Sequence, residues 1–201
     1  ASPVVSDCGH SCECAATAAT AEAKTLRWLL AINAAMFAVE IVTGWLAQST
    51  GLLADSLDMF ADAAVYGLAL YAVGRDTGHQ QRAARLSGWL QLLLALGALA
   101  EVLRRAWIGS EPEPMPMMGI ALLALAANVA CLALLAGHRD GGVHMRASWI
   151  FSTNDVLANL GVIVAGALVA WSGSSIPDLA IGTLIAVLVL NGARRILRLQ
   201  A

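Results

Sequence analysis

Charged residues are scarce in this chain of 201 residues. Only 13% are Asp, Glu, Lys or Arg, whereas 59% are hydrophobic. This composition leaves no room for a large soluble domain. The sequence also lacks a low-complexity segment and a close internal repeat. Its N-terminus has no apolar core of the kind that a cleaved signal peptide requires, so we expect the first apolar stretch to stay in the protein.

Long apolar stretches are abundant instead. Six of them hold about 20 residues or more, which is the length of a helix that crosses a bilayer. Helices satisfy all of their backbone polar groups within lipid, so we predict an all-α fold, a bundle of six transmembrane helices. The predicted spans are 26–48, 52–73, 86–108, 117–137, 146–171 and 177–197.

The basic residues indicate how the bundle is oriented. Ten of the twelve would lie on one side of the membrane: Lys24, Arg27, Arg75, Arg82, Arg85, Arg139, Arg146, Arg194, Arg195 and Arg198. Because cytoplasmic loops carry an excess of Lys and Arg, both termini are predicted to be cytoplasmic. We expect a multi-pass protein of a bacterial inner membrane.

The first residues form a separate region in this prediction. Residues 1–24 are predicted to be a disordered cytoplasmic tail, and residues 25–201 the transmembrane domain. The tail contains Cys8, His10, Cys12 and Cys14. Thiolate and imidazole ligands favour Zn²⁺ and similar ions, so the tail is a candidate for metal capture. The alternative is an ordinary tail with incidental cysteines.

Four acidic residues interrupt stretches that are otherwise apolar. Asp55, Asp58 and Asp62 lie in the second predicted span, and Asp155 lies in the fifth. A carboxylate in hydrocarbon costs several kcal/mol or more, so such residues are rare and usually functional. The second span contains no Lys or Arg to neutralise them, and the fifth has only Arg146, at its cytoplasmic end nine residues before Asp155. The missing positive charge is therefore predicted to come from a visiting metal cation or from protons.

The spacing of these acids predicts that they meet. Asp55, Asp58 and Asp62 follow an i, i+3, i+7 pattern and share one helical face. At ~1.5 Å per residue, Asp62 lies ~15 Å deep from one side and Asp155 ~14 Å deep from the other. Two antiparallel helices thus place carboxylates at similar depth. Ser152 extends the Asp155 face, and Asn154 lies beside it.

Three carboxylates at one depth have a definite chemistry. Like charges in a poorly solvated site favour protonation of some of them. A divalent metal must displace those protons, because its ligands bind in the deprotonated form. We therefore predict metal/proton exchange at Asp58, Asp62 and Asp155, with Asn154 or Ser152 completing the ligand set. The predicted ion is Zn²⁺, while Cd²⁺, Co²⁺, Mn²⁺ and Fe²⁺ stay open.

In these residues the sequence resembles the cation diffusion facilitators, a family of six-helix Zn²⁺/H⁺ antiporters. The family signature places an acid or His four residues before an Asp, as Asp58 and Asp62 stand here. Other positions with family-like residues are Asn33, Glu40, Glu101 to Arg105, Asn128 and Pro177-Asp178. The resemblance implies metal efflux by alternating access and a homodimer in the lipid bilayer.

The sequence departs from the family pattern in two places. Phe151 stands four residues before Asp155, where the family has a metal ligand. The fourth ligand is therefore open, with Asn154 and Ser152 as the candidates. The family also usually carries a cytoplasmic domain after the sixth helix, whereas this sequence ends at Ala201. We expect a member that lacks this domain or has been truncated.

Two other classes of function are compatible with buried aspartates. Asp62 and Asp155 at one depth resemble the dyad of an intramembrane aspartyl protease, but Asp155 follows Thr153-Asn154 and not the Gly-x-Gly context of such enzymes. A metal-independent scaffold or proton-relay subunit is the other alternative. We expect a transporter and not an enzyme, with metal cations and protons as partners and no nucleic acid.

Overall fold

The computed structural model describes residues 8–72, 77–136 and 143–198. In these residues the chain forms six α-helices and no strand, which confirms the predicted all-α fold. The helices are α1 (Cys8–Leu46), α2 (Thr50–Ala72), α3 (Thr77–Ile108), α4 (Pro114–Ala136), α5 (Val143–Ser172) and α6 (Ile176–Arg198).

Five of the described helices are long and apolar enough to cross a membrane, namely α1, α3, α4, α5 and α6. The chain is therefore an integral, multi-pass membrane protein. The remaining helix, α2, has 23 residues, which is long enough, but it contains three aspartates. The predicted six-helix bundle is thus confirmed, and α2 differs from the other helices in its acidic residues.

The position of α2 explains this difference. It packs against each of the other five helices and so occupies the middle of the bundle. Its acidic side chains Asp55 and Asp62 are buried against protein. Acidic residues within membrane helices face the bundle interior in this way because lipid offers them neither hydrogen bonds nor counter-charge.

Three short connections meet at one end of the bundle. They comprise residues 47–49, 109–113 and 173–175, and we call this end the short-loop end. The α3–α4 connection is tied to the α1–α2 turn because the backbone amide of Glu113 donates to the carbonyl of Ala47 at 2.9 Å. Gln48, with φ of 51°, lets the chain reverse between α1 and α2. The predicted orientation would place this end outside the cell.

Asp178 links the third connection to the first. Its carboxylate is completely buried at the start of α6. The hydroxyl of Ser49 donates to Oδ1 at 2.7 Å, the amide of Thr50 donates to Oδ2 at 2.5 Å, and the amide of Gly51 donates to Oδ1 at 2.9 Å. The first amides of a helix have no partner within the helix, so Asp178 supplies acceptors that α2 needs.

Two glycines let the backbones of α2 and α6 approach closely beside this carboxylate. A Cβ on Gly182 would lie 3.0 Å from the carbonyl oxygen of Thr50, and a Cβ on Gly51 would lie 2.9 Å from the Ile181 side chain. On α5, a Cβ on Gly161 would lie only 2.4 Å from the same Ile181. At the short-loop end, α6 therefore packs closely against both helices that carry the intramembrane aspartates.

The first helix differs from the predicted disordered tail. It already begins at Cys8, so the backbone of residues 8–24 is helical and continues into the membrane span. The run from Ala15 to Ala23 is rich in alanine, the strongest helix former, and a long helix that is already nucleated extends readily through such a run. The division into a tail and a transmembrane domain stays a prediction.

Candidate metal centre

The aspartates of α2 and α5 converge inside the bundle. Asp155 lies within hydrogen-bonding reach of both Asp58 and Asp62. Asp62 and Asp155 are buried, and Asp58 is half-buried. The antiparallel depth match that the sequence predicts is thus present in the structure, and Asp155 is the residue that joins the two helices.

Tyr66 adds a polar contact to this group. It follows Asp62 by one helical turn, is buried, and places its hydroxyl within hydrogen-bonding reach of the Asp62 carboxyl group. One oxygen of Asp62, Oδ2, has no hydrogen-bond donor among the described residues. Tyr66 therefore orients Asp62 without satisfying it fully.

No positive charge acts on the cluster in the described part of the chain. The charged groups that act on Asp58 are Asp62 and Asp55. Those that act on Asp155 are the three carboxyl groups of α2, namely Asp55, Asp58 and Asp62. Arg104 and Arg105, near the end of α3, are instead paired with Glu101 at 2.7 and 2.6 Å. The cluster is an anionic site whose charge must be balanced by a cation or by protons.

The three aspartates meet in pairs and not around one point. Within the described ranges, no group of three or more His, Cys, Asp or Glu side chains is close enough to hold a metal ion. The contacts that the structure gives are those of Asp155 with Asp58 and of Asp155 with Asp62. Carboxyl groups arranged in this way can hold each other through shared protons, because two carboxyl groups form a hydrogen bond when one of them is protonated.

The two candidates for the fourth ligand, Ser152 and Asn154, differ in their burial. Ser152, one turn before Asp155, is buried, and its hydroxyl has no partner among the described residues. It is thus available to a ligand. Asn154 is exposed, about 100° around the helix from Asp155. The structure does not bring Asn154 to the carboxylates.

Asn159 supports the helix on the other side of Asp155. It is buried one turn further along α5, and its amide nitrogen donates to the backbone carbonyl of Asp155 at 2.8 Å. Its Oδ1 atom has no donor among the described residues. The Asp155 face of α5 thus carries three buried polar residues, Ser152, Asp155 and Asn159.

Two sequence predictions concern side chains outside the described set. The side chains of Cys8, His10, Cys12 and Cys14 are among these, so metal capture by the tail stays a prediction. The side chain of Phe151 is another, although its backbone belongs to α5. The fourth ligand is therefore open, with Ser152 the better placed of the two candidates.

Two side-chain contacts near the site were not predicted from the sequence. Tyr66 follows Asp62 by four residues, a spacing that places both on one helical face and could have revealed their contact. The second contact is that of Glu40 on α1, whose carboxyl group meets that of Asp55. Glu40 and Asp55 are 15 positions apart in the sequence, on different helices, and only the pairing of α1 with α2 brings them together.

The fold and the site together define a class: a polytopic membrane protein whose helix bundle has at its centre a carboxylate cluster that no described residue neutralises. A family profile described as "Cation efflux transmembrane domain" matches residues 26–200. The chain therefore belongs to the cation efflux family, and its resemblance to the cation diffusion facilitators is confirmed.

Individual relatives agree with this assignment. The chain is 30% identical over 190 residues to the zinc transporter ZitB of Escherichia coli K12, an alignment that covers 88% of this chain and 60% of the relative. It is 27% identical to a "Cadmium, cobalt and zinc/H(+)-K(+) antiporter" of Bacillus velezensis, over 76% of this chain and 53% of that protein. The metal cation efflux protein CzcD of Cupriavidus metallidurans is 24% identical, over 83% and 57%. The chain thus spans about 60% of the length of ZitB.

Proposed function

We propose that this chain forms the membrane part of a divalent-cation exporter that exchanges Zn²⁺ for protons. The observation that carries the proposal is the convergence of Asp58, Asp62 and Asp155 without a basic partner among the described residues. The names of the relatives, which are zinc, cadmium and cobalt transporters or antiporters, support the same class of cargo. They also favour transport over the protease and the metal-independent scaffold.

In the proposed mechanism, the cation enters from the cytoplasm and draws the three carboxylates around itself. Carboxylate ligands must be deprotonated to bind, so the protons that hold Asp155 to its partners leave as the metal arrives. When the site opens to the other side, protons return and release the ion. Ser152 is the proposed additional oxygen ligand, because its hydroxyl is buried and has no partner in the described residues.

The packing of the helices supports alternating access. At the short-loop end, Gly51, Gly161 and Gly182 allow α6 to lie directly against α2 and α5. This close packing would close the route to the outside in the predicted orientation. Opening that route requires α6 to separate from one of the two helices that carry the ligands. A homodimer is part of the proposal on family grounds.

The test is zinc transport by purified protein in liposomes with a pH gradient. We expect wild-type protein to move Zn²⁺ and protons in opposite directions, as reported by zinc-sensitive and pH-sensitive dyes. Asp155→Asn should reduce both signals to those of empty liposomes, because it removes the residue that joins the two helices. The matched control is Glu111→Gln, which neutralises an exposed acid between α3 and α4 and should behave as wild type. Zinc transport that persists in Asp155→Asn contradicts the proposal.

A further inference from the structure

A second pair of acids lies apart from the proposed metal centre. Glu40 belongs to α1 and Asp55 to α2, and their side chains are 0% and 1% exposed. Their carboxyl groups lie within hydrogen-bonding reach of each other. Neither residue has a role in the metal/proton exchange described above.

The pair lacks any other hydrogen-bond donor at three of its four oxygens. Both carboxyl oxygens of Glu40 and Oδ2 of Asp55 are buried and have no donor among the described residues. Buried polar groups are nearly always partnered, so three orphaned oxygens at one place require an explanation. Two ionised carboxylates cannot supply it, because each is only an acceptor.

The neighbouring charged groups further disfavour two ionised carboxylates at this place. Those that act on Glu40 are Asp55 and Asp58, and the one that acts on Asp55 is Asp62. The other helix packed against α1 is α4, which has no acidic or basic residue from Pro114 to Ala136.

No basic group of the remaining neighbours of α2 acts on the pair among the described residues. Three acidic groups of these neighbours have other contacts. On α3, Glu101 is bound to Arg104 and Arg105. On α6, Asp178 is bound to the start of α2. On α5, Asp155 lies within hydrogen-bonding reach of Asp58 and Asp62. These contacts leave the Glu40–Asp55 pair without a counter-charge among the described groups.

A proton satisfies this geometry and a metal ion does not. One proton between the two carboxyl groups converts a pair of acceptors into a hydrogen-bonded pair and removes one buried charge. A structural or transported Zn²⁺ needs about four ligands, and a hard cation needs more. No third His, Cys, Asp or Glu joins the pair in the described residues. We propose that Glu40 and Asp55 share a proton and form a proton-binding site separate from the metal centre.

The depth of the pair indicates its use, and this part of the inference rests on the proposed exchange function. Asp55 lies five residues into α2, or ~8 Å from the short-loop end, whereas Asp62 lies ~18 Å from it. In the predicted orientation, a proton from outside therefore reaches Glu40 and Asp55 before it reaches the metal centre. The pair is placed to pass returning protons inward to Asp58, one helical turn deeper.

Infrared spectroscopy tests the proton site without any transport measurement. Metal-free protein near neutral pH should show the carbonyl stretch of a protonated carboxyl group, and part of this band should survive saturation with Zn²⁺. Glu40→Gln and Asp55→Asn should each remove the part that survives, whereas the control Glu113→Gln, an exposed acid, should retain it. The two variants are independent, so either decides the question if the other fails to fold.

Two outcomes overturn the inference. One is a zinc-resistant band that is unchanged in both variants. The other is a loss of zinc affinity in Glu40→Gln, which would make the pair part of the metal centre. In liposomes, we expect Glu40→Gln to keep zinc binding but to lose the acceleration of transport by an inward proton gradient. If the proton gradient accelerates zinc transport in Glu40→Gln as much as in wild type, the relay is overturned while the exporter proposal stays intact.

Discussion

Two buried carboxylates in this bundle have opposite surroundings. Asp178 accepts hydrogen bonds from the hydroxyl of Ser49 and from the first two amides of α2, and both of its oxygens are used. Asp62, in the middle of the same helix, retains an orphaned oxygen and has acids as its charged neighbours. The first arrangement stabilises the fold. The second destabilises the fold, because a buried carboxylate lacks hydrogen-bond donors and a counter-charge. Such residues are found in membrane helices mainly where function requires them.

The comparison predicts that substitution of Asp178 affects mainly stability and that substitution of Asp62 affects mainly zinc binding. Asp178→Ala should lower the free energy of unfolding by about 1–3 kcal/mol, because it leaves buried donors of α2 without an acceptor. Asp62→Asn should leave the thermal unfolding temperature in detergent at or above that of wild type, since it removes a poorly satisfied charge. Zinc binding should instead be lost in Asp62→Asn.

The measurements are thermal unfolding and zinc titration on the same detergent samples. Asp178→Ala should still bind Zn²⁺ at temperatures where it is folded. The comparison fails if Asp62→Asn is the less stable variant, or if Asp178→Ala abolishes zinc binding while the protein is folded.

Ser152 and Asn154 extend the comparison to uncharged groups on α5. Ser152→Ala should weaken zinc affinity by about tenfold, the lower range for loss of a group that supports a metal site. Asn154→Ala should leave affinity unchanged because its side chain is exposed. Competition with a zinc-binding dye measures both. Equal affinities in the two variants would remove Ser152 from the site.

Close packing of α2 and α6 near Asp178 gives a further prediction about stability. Gly182→Ala should destabilise the protein by about 1 kcal/mol, because the new methyl group meets the backbone of Thr50. Gly119→Ala is the matched control, since nothing lies within 4 Å of its Cβ position on α4. The control should be neutral or stabilising, as alanine is the better helix former. Thermal unfolding that ranks the two in the opposite order would contradict the close approach of α2 and α6.

Much of the fold follows from local patterns in the sequence. Each membrane helix is long and apolar, so length and composition alone predict six helices, and the i, i+3, i+7 spacing predicts the shared face of Asp55, Asp58 and Asp62. The extension of α1 back to Cys8 was missed because the polar run before residue 24 resembles a disordered tail. Its alanines favour helix once the membrane span has nucleated one.

The sequence predicted those features of the site that depend on residue positions along individual helices. The depth match of Asp62 with Asp155 follows from counting residues. The bond from Asp178 to Thr50 joins residues 128 positions apart, and no local pattern reports it. The Glu40–Asp55 contact likewise depends on how α1 and α2 pack. Asn154 and Ser152 were both candidate ligands from the sequence, and the rotation of α5 in the structure buries Ser152 and exposes Asn154.

The central claim is that Asp58, Asp62 and Asp155 bind one cation in common. Calorimetric titration of Zn²⁺ into Asp58→Asn, Asp62→Asn and Asp155→Asn tests it most directly, with Cys8, Cys12 and Cys14 replaced by serine in every sample to silence the tail. The account predicts one high-affinity event in the parent protein, proton release that accompanies it, and loss of that event in each of the three variants. Wild-type affinity in any one of them would contradict the account.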